Sequence, residues 1–266
     1  MNKLILMAGP CVIESEQQLH EIAAKLKKIT DQYECDYYFK ASFDKANRTS
    51  VKSYRGVGIK EGIRIFQDIK NKYGLRVVTD IHEPYQAEMI AEVADIIQIP
   101  AFLCRQTDLL VAAGKTGKII SVKKAQFLAP WDMKNVVEKL ESTGNHNLML
   151  CERGTTFGYN RLIVDMTAII EMKKFGYPVI FDATHSTQMP GGNGDCTGGN
   201  REYSLGLTKA AIAIGADGVF LETHEDPKMA LSDGPNMIPM KEIEKFISNA
   251  IQLFKYEKGE KIEDEY

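Results

Sequence analysis

N-L-M-L-C-E-R, residues 147–153, shows in seven residues how this chain is built. Leu148 to Cys151 form an apolar run too short for a helix, and it reads as a strand buried on both faces. Glu152 and Arg153 follow at once, so the strand ends in charge. The pattern repeats outward in both directions. Upstream lie K-I-I-S-V-K-K (118–124), D-I-I-Q-I (95–99), R-V-V-T-D-I-H (76–82), D-Y-Y-F-K (36–40) and L-I-L-M-A-G-P-C (4–11). Downstream lie P-V-I-F-D-A-T-H (178–185) and G-V-F-L-E (218–222). Eight short apolar runs, each with polar chemistry at or just before its C-terminal end, are the signature of a (β/α)8 barrel whose active site crowns the strand ends.

The segments between the runs have apolar residues at helical spacing. They cover 16–33, 58–74, 84–94, 106–117, 131–144, 160–176, 202–216 and 240–258. Gly74, Gly117, Gly144 and Gly176 end four of them, as left-handed helix caps require. Strict alternation of strand and helix predicts a parallel sheet. Eight repeats predict closure into one α/β TIM barrel spanning 1–266. No Gly-x-Gly-x-x-Gly follows the first strand, which argues against a dinucleotide-binding sheet. The tail 257–266 is polar and reads as frayed or as part of a subunit contact. Two connections, 42–56 and 186–202, exceed what a barrel needs and are expected to bind or cover a ligand.

Composition narrows the function. A net charge of −3 argues against a nucleic-acid or membrane partner, so any anion site must be a local cationic pocket. No stretch approaches the roughly 20 apolar residues of a membrane span. The opening residues read as a first strand and not as a secretory signal. Five cysteines, none in a C-x-x-C pair, fit a reduced, cytoplasmic protein.

Lys40, Lys45, Arg48, Lys123, Lys124 and Arg153 all fall at or just after strand ends, which converge on one mouth. Clustered like charges there call for an anion, with phosphate and carboxylate the natural candidates. Asn47, Arg48 and Thr49 add an amide, a guanidinium and a hydroxyl suited to a phosphorylated polyol. A second set, Cys11, His185, Glu222 and Asp233, follows strands 1, 7 and 8, which closure makes neighbours. Its donors suit Zn²⁺, Fe²⁺ or Mn²⁺, although a cysteine or histidine near a strand is more often a packing residue. The glycines between 191 and 199 lack the Gly-Lys-Ser/Thr of a nucleotide loop and suit a flexible lid. His20 and His146 are expected to face solvent, while His82 and His224 either join the site or support it from behind.

A-G-P-C-V-I-E-S (8–15), K-A-S-F-D-K-A-N-R-T-S (40–50), T-D-I-H-E-P (79–84), E-R-G-T-T-F-G-Y (152–159), D-A-T-H-S (182–186), P-G-G (190–192), E-T-H-E-D-P (222–227) and D-G-P (233–235) closely resemble the 3-deoxy-manno-octulosonate-8-phosphate synthases. The resemblance covers nearly the whole chain. It implies condensation of phosphoenolpyruvate with arabinose 5-phosphate and water, giving the octulosonate 8-phosphate and phosphate, a step towards lipopolysaccharide. The related heptulosonate-7-phosphate synthases use erythrose 4-phosphate and carry Lys-Pro-Arg-Thr-Ser where this chain has Ala46 and Asn47 before Arg48. That difference favours the longer sugar.

The resemblance also implies roles. Lys40, Lys45, His185 and Asp233 are the expected catalytic residues. Asn47, Arg48, Thr49, Gln98, Ala101, Lys123 and Arg153 are expected to hold the substrates. Cysteine after A-G-P marks the metal-dependent branch, with Cys11, His185, Glu222 and Asp233 holding one divalent ion, and no organic cofactor is expected. Members of the family are usually homotetramers. A reading from a different class, a barrel that binds sugar phosphates without converting them, is separated from this one by an assay for product.

Overall fold

The computed structural model describes residues 3–48, 50–156, 158–190 and 198–259. Eight parallel strands form the central sheet: β1 (Leu4–Gly9), β2 (Cys35–Lys40), β3 (Val77–Asp80), β4 (Ile96–Ile99), β5 (Ile119–Lys123), β6 (Leu148–Glu152), β7 (Val179–Asp182) and β8 (Gly218–His224). Each pairs with the next, and β8 pairs with β1 from Ile5↔Gly218 to Gly9↔Glu222, closing the ring. This is the (β/α)8 barrel that the sequence predicts.

Eight helices pack outside: α1 (Glu16–Thr30), α2 (Ile59–Tyr73), α3 (Gln86–Ala91), α4 (Thr107–Lys115), α5 (Met133–Glu141), α6 (Thr167–Lys173), α7 (Ser204–Ala213) and α8 (Met240–Glu257). Gly74, Gly117, Gly144 and Gly176 follow their helices at φ of 65°, 71°, 83° and 83°, the left-handed conformation that glycine adopts without a Cβ penalty.

Alternation along each strand sorts the side chains into two cores. Leu4, Leu6 and Ala8 pack outward with the helices. Ile5, Met7, Tyr38, Val78, Ile96, Met149, Cys151, Ile180 and Phe220 fill the barrel. Continuing each strand by two residues gives Lys40, Asp80, Gln98, Arg153, Asp182 and Glu222, and Lys123 continues the inward Ile119 of β5 after Ser121. An apolar plug thus supports a polar layer at the C-terminal mouth.

Three local readings differ from the sequence expectation. The helix expected over 160–176 begins only at Thr167, where Asp165 accepts hydrogen bonds from the Thr167 N–H and hydroxyl. Residues before it are drawn into tertiary pairing: Ile163 bridges Thr155, and the Leu162 N–H donates to the Gln188 carbonyl. α3 is shorter than 84–94, because Gln86 Oε1 accepts from the His82 and Glu83 N–H groups and organises the preceding turn. A single 3₁₀ turn, Arg201–Tyr203, replaces the start of the helix expected from 202. In the long 186–202 connection, Gln188–Met189 pairs antiparallel with Gly198–Gly199. Thr49, Cys196, Gly191, Gly192, Gly194 and the tail 260–266 lie outside the described residues.

Candidate active site

A cavity of about 340 Å³ opens at the C-terminal mouth, within the usual size range of small-molecule sites, roughly 300–1,000 Å³. Of the residues singled out in the sequence, Lys45, Asn47, Arg48, Gln98, Ala101, Lys123, Arg153, His185, Glu222 and Asp233 line it. Asp80, Gln126, Gln188, Ser53 and Phe102 line it as well. The mouth is therefore not purely basic: Lys45, Arg48, Lys123 and Arg153 face Asp80, Glu222 and Asp233.

Among the described residues, three expected ones do not line the cavity: Lys124, Lys40 and Cys11, the last at the seam between β1 and β8. Lys124 is one residue out of phase with the inward row, as is Glu152, so both point away from the barrel interior. They pair with each other at 3.5 Å, and Lys124 Nζ also donates to the Ala125 and Leu128 carbonyls. Burial raises the Glu152 pKa and outweighs the opposing pull of Lys124. Lys40 points inward but does not line the cavity. Its Nζ donates to Glu222 Oε1 at 2.5 Å and to the Cys11 carbonyl at 2.8 Å, with both side chains 1% exposed.

Lys123 Nζ lies 3.5 Å from the Phe220 ring centroid and Lys40 Nζ lies 5.4 Å away. One aromatic ring thus steadies two ammonium groups, each such contact contributing about 0.5–2 kcal/mol. Lys123 Nζ also donates to Asp182 Oδ2 at 2.5 Å. Arg153 Nη2 donates to Gln188 Oε1, and Gln188 Nε2 donates to Asp233 Oδ1 at 3.3 Å. Arg153 Nη1 is buried without a partner, as are Gln98 Oε1 and Asp80 Oδ1. Buried polar atoms normally find partners, so these unsatisfied atoms, on residues that line one cavity, point to a polar ligand. Arg48 is partly engaged: Nη1 donates to Ser232 Oγ at 2.7 Å and Nη2 to the Leu231 carbonyl, while Nε is buried without a partner.

At the seam between β1 and β8, Cys11, Glu222 and Asp233 bring ligand atoms within 4.8 Å of one another. His185 Nε2 lies 3.6 Å from Glu222 Oε2, an oxygen buried without a hydrogen-bond partner. Cys11 Sγ reaches Ser232 Oγ at 3.0 Å and Asp233 Oδ2 at 3.3 Å. Asp233 takes a left-handed conformation, φ 47° and ψ 22°, which costs a residue with a Cβ about 1–2 kcal/mol. A thiol, two carboxylates and an imidazole, with an orphan oxygen among them, fit a divalent ion of borderline softness.

Electrostatics agree. Burial, reinforced by Glu222 and Asp233, pushes the Cys11 thiol well up, a cost that a bound cation removes. Burial works against charge on Glu222 and Lys45, yet each stands shifted towards its charged form. Lys40 and Lys45 hold Glu222 down, while Glu222 and Asp80 hold Lys45 up. A second Glu16–His20–Asp68 group lies on the outer α1–α2 surface, where Arg64 already engages Glu16.

The other histidines are supporting residues. His82 lies 3.5 Å from Asp80 and edge-on to Phe43. His224 Nε2 meets Glu14 Oε2 at 3.4 Å, and Glu14 Oε1 accepts from the Leu231 N–H at 2.9 Å, tying β8 to the loop that carries Asp233. His20, expected to face solvent, is instead largely covered, ion-paired with Asp68 at 3.0 Å; His146 is exposed. Gln188 and Ser232 carried no warning in sequence. Asp80 did, because it has the same inward phase as Lys40 and Gln98.

Residues 1–258 match the family described as DAHP synthetase I. The chain belongs to this family. Curated relatives include a 2-dehydro-3-deoxyphosphooctonate aldolase of Fusobacterium nucleatum, 55% identical over 258 residues that cover 97% of this chain and 93% of the relative. Proteins of the same name from Bartonella henselae and a Cyanothece species are 53% and 54% identical, each over 248 residues. Those alignments cover 93% of this chain in both cases, and 89% and 91% of the respective relatives.

Proposed function

We propose that this member of the family condenses phosphoenolpyruvate with arabinose 5-phosphate and water to give 3-deoxy-D-manno-octulosonate 8-phosphate and phosphate, for lipopolysaccharide synthesis. The observation that carries the reading is the division of one cavity. Within it stand cationic Lys123 and Arg153, the latter with an unsatisfied donor, together with His185, Glu222 and Asp233 beside Cys11, and the amide and carboxylate oxygens of Gln98 and Asp80. The name shared by relatives at 52–55% identity supports the same substrates.

In this scheme Lys123 and Arg153, beside Ala101, hold the phosphate of phosphoenolpyruvate, and Lys45 holds its carboxylate. Asn47, Arg48 and Thr49 hold the sugar phosphate, while Gln98 and Asp80 accept from sugar hydroxyls. The enol C3 attacks the aldehyde carbon, and Lys45 is placed to give a proton to the aldehyde oxygen. Water adds at C2, and the resulting hemiketal phosphate expels phosphate by C–O cleavage, its growing negative charge met by Lys123 and Arg153 in a partly dry pocket. Cys11, His185, Glu222 and Asp233 would hold a divalent ion, which when bound supplies a Lewis acid for orienting the aldehyde or water.

Exposed Phe102, Phe127, Trp131 and Tyr159 support self-association, and we take the assembly to be a homotetramer. The four described cysteines are unpaired, in keeping with a reducing cytoplasm, and no described helix is long and apolar enough to cross a membrane.

The test mixes both substrates with metal-loaded protein and follows phosphate release and the keto acid, with erythrose 4-phosphate in parallel. Release that depends on arabinose 5-phosphate is expected. Preference for the four-carbon sugar overturns the specificity, and binding without release supports a non-catalytic barrel.

A further inference from the structure

Asp182 lies at the end of β7, 0% exposed, and takes no direct part in the scheme above. Its Oδ1 accepts from the Thr184 and His185 N–H groups at 3.2 and 2.9 Å and from the Thr184 hydroxyl. Its Oδ2 meets His185 Nδ1 at 2.8 Å and Lys123 Nζ at 2.5 Å. One carboxylate therefore touches both a phosphate-binding lysine from β5 and a histidine of the metal group in the turn after β7. Lys123 Nζ also lies 3.3 Å from His185 Nδ1, but an ammonium has only donors. If Nδ1 carries its proton towards Asp182, both contacts to the carboxylate are satisfied and Nε2 is left with a lone pair facing Glu222. The opposite tautomer would put a donor-less nitrogen against the carboxylate.

We propose that Asp182 is a positioning residue that fixes the tautomer and direction of His185 and at the same time seats Lys123, coupling the metal end of the cavity to its phosphate end. The proposal rests on the metal-centre reading above. A carboxylate behind a metal-bound histidine commonly governs affinity by about 10- to 100-fold; here the same carboxylate also places a substrate cation.

The test uses the full chain. The dissociation constant for Zn²⁺ is measured by competition with a chelator of known affinity for wild type, Asp182→Asn, Lys123→Ala and Thr184→Val. Asp182→Asn is expected to weaken Zn²⁺ by about 10- to 100-fold. Lys123→Ala should leave it within a few-fold. Thr184→Val removes one hydrogen bond from the carboxylate without altering its charge, so it keeps the test alive if Asp182→Asn does not fold, and should weaken Zn²⁺ several-fold. With metal at saturation, Asp182→Asn should regain part of its kcat but keep a raised KM for phosphoenolpyruvate.

Unchanged Zn²⁺ affinity in folded Asp182→Asn, or in Thr184→Val where that variant alone folds, overturns the histidine half. Complete recovery of KM by metal overturns the lysine half. Wild-type protein that binds no divalent ion overturns the metal-centre reading itself, a separate result from either.

Discussion

Replacing Lys40 with methionine strands a buried carboxylate at nearly constant side-chain volume. Lys40 and Glu222 are each 1% exposed and 2.5 Å apart. Breaking such a pair costs about 3–5 kcal/mol, because the surviving charge stays buried. Glu222 keeps help from Lys45 at 3.9 Å and from His185 at 3.6 Å, which argues for the lower end, about 3 kcal/mol. At about 2–4 °C per kcal/mol for a chain of this size, the melting temperature of metal-free Lys40→Met should fall by about 6–12 °C. Thermal unfolding followed by circular dichroism on metal-free wild type, Lys40→Met, Glu222→Gln and the double variant measures it. The double variant should lose less than the sum of the singles, since no charge is left stranded. A Lys40→Met midpoint within about 2 °C of wild type, or strict additivity in the double variant, would refute the account.

Chelator treatment should abolish phosphate release, and a divalent ion should restore it in wild type but not in Cys11→Ala; full activity in metal-free protein removes Cys11 from the ligand set. Gly9→Ala places a Cβ 1.9 Å from the Lys40 carbonyl, so β1 must move from β2. Overpacking of that kind costs about 1–3 kcal/mol, and urea unfolding should show it together with weaker metal binding. Glu14→Gln keeps an acceptor for the Leu231 N–H but removes the charge facing His224. The Glu14 pKa is lowered although burial pushes the other way, so its share of stability is complete above its ordinary 4.5 and lost on acidification. The His224 pKa is raised, chiefly by its hydrogen bond to Glu14, so its share is complete below its ordinary 6.5 and lost as pH rises through the raised value. The stability difference between wild type and Glu14→Gln should therefore peak between about pH 4.5 and 6.5, and a difference that is flat across urea titrations at pH 3.5, 5.5 and 8.5 would contradict it.

Strand order and the placement of most helices were legible in the sequence, because each follows from patterns a few residues long. Short apolar-rich runs made strands of four to seven residues, and glycines at 74, 117, 144 and 176 closed four of the helices. The same alternation separates Lys123, which faces in, from Lys124, which does not, although position at a strand end alone had grouped them. The start of α6 was misread because Leu162 and Ile163 are held by Gln188 and Thr155, pairings that outweigh local helical preference.

The partnerships inside the mouth are another matter. Lys40 meets Glu222 across 182 residues, and Lys123 meets Asp182 across 59. Which way a side chain points along a strand is settled by its neighbours in the chain, through the period of two. Which inward cation meets which inward carboxylate is settled by the closure of β8 on β1 and the stagger of eight strands, which no local stretch of residues encodes.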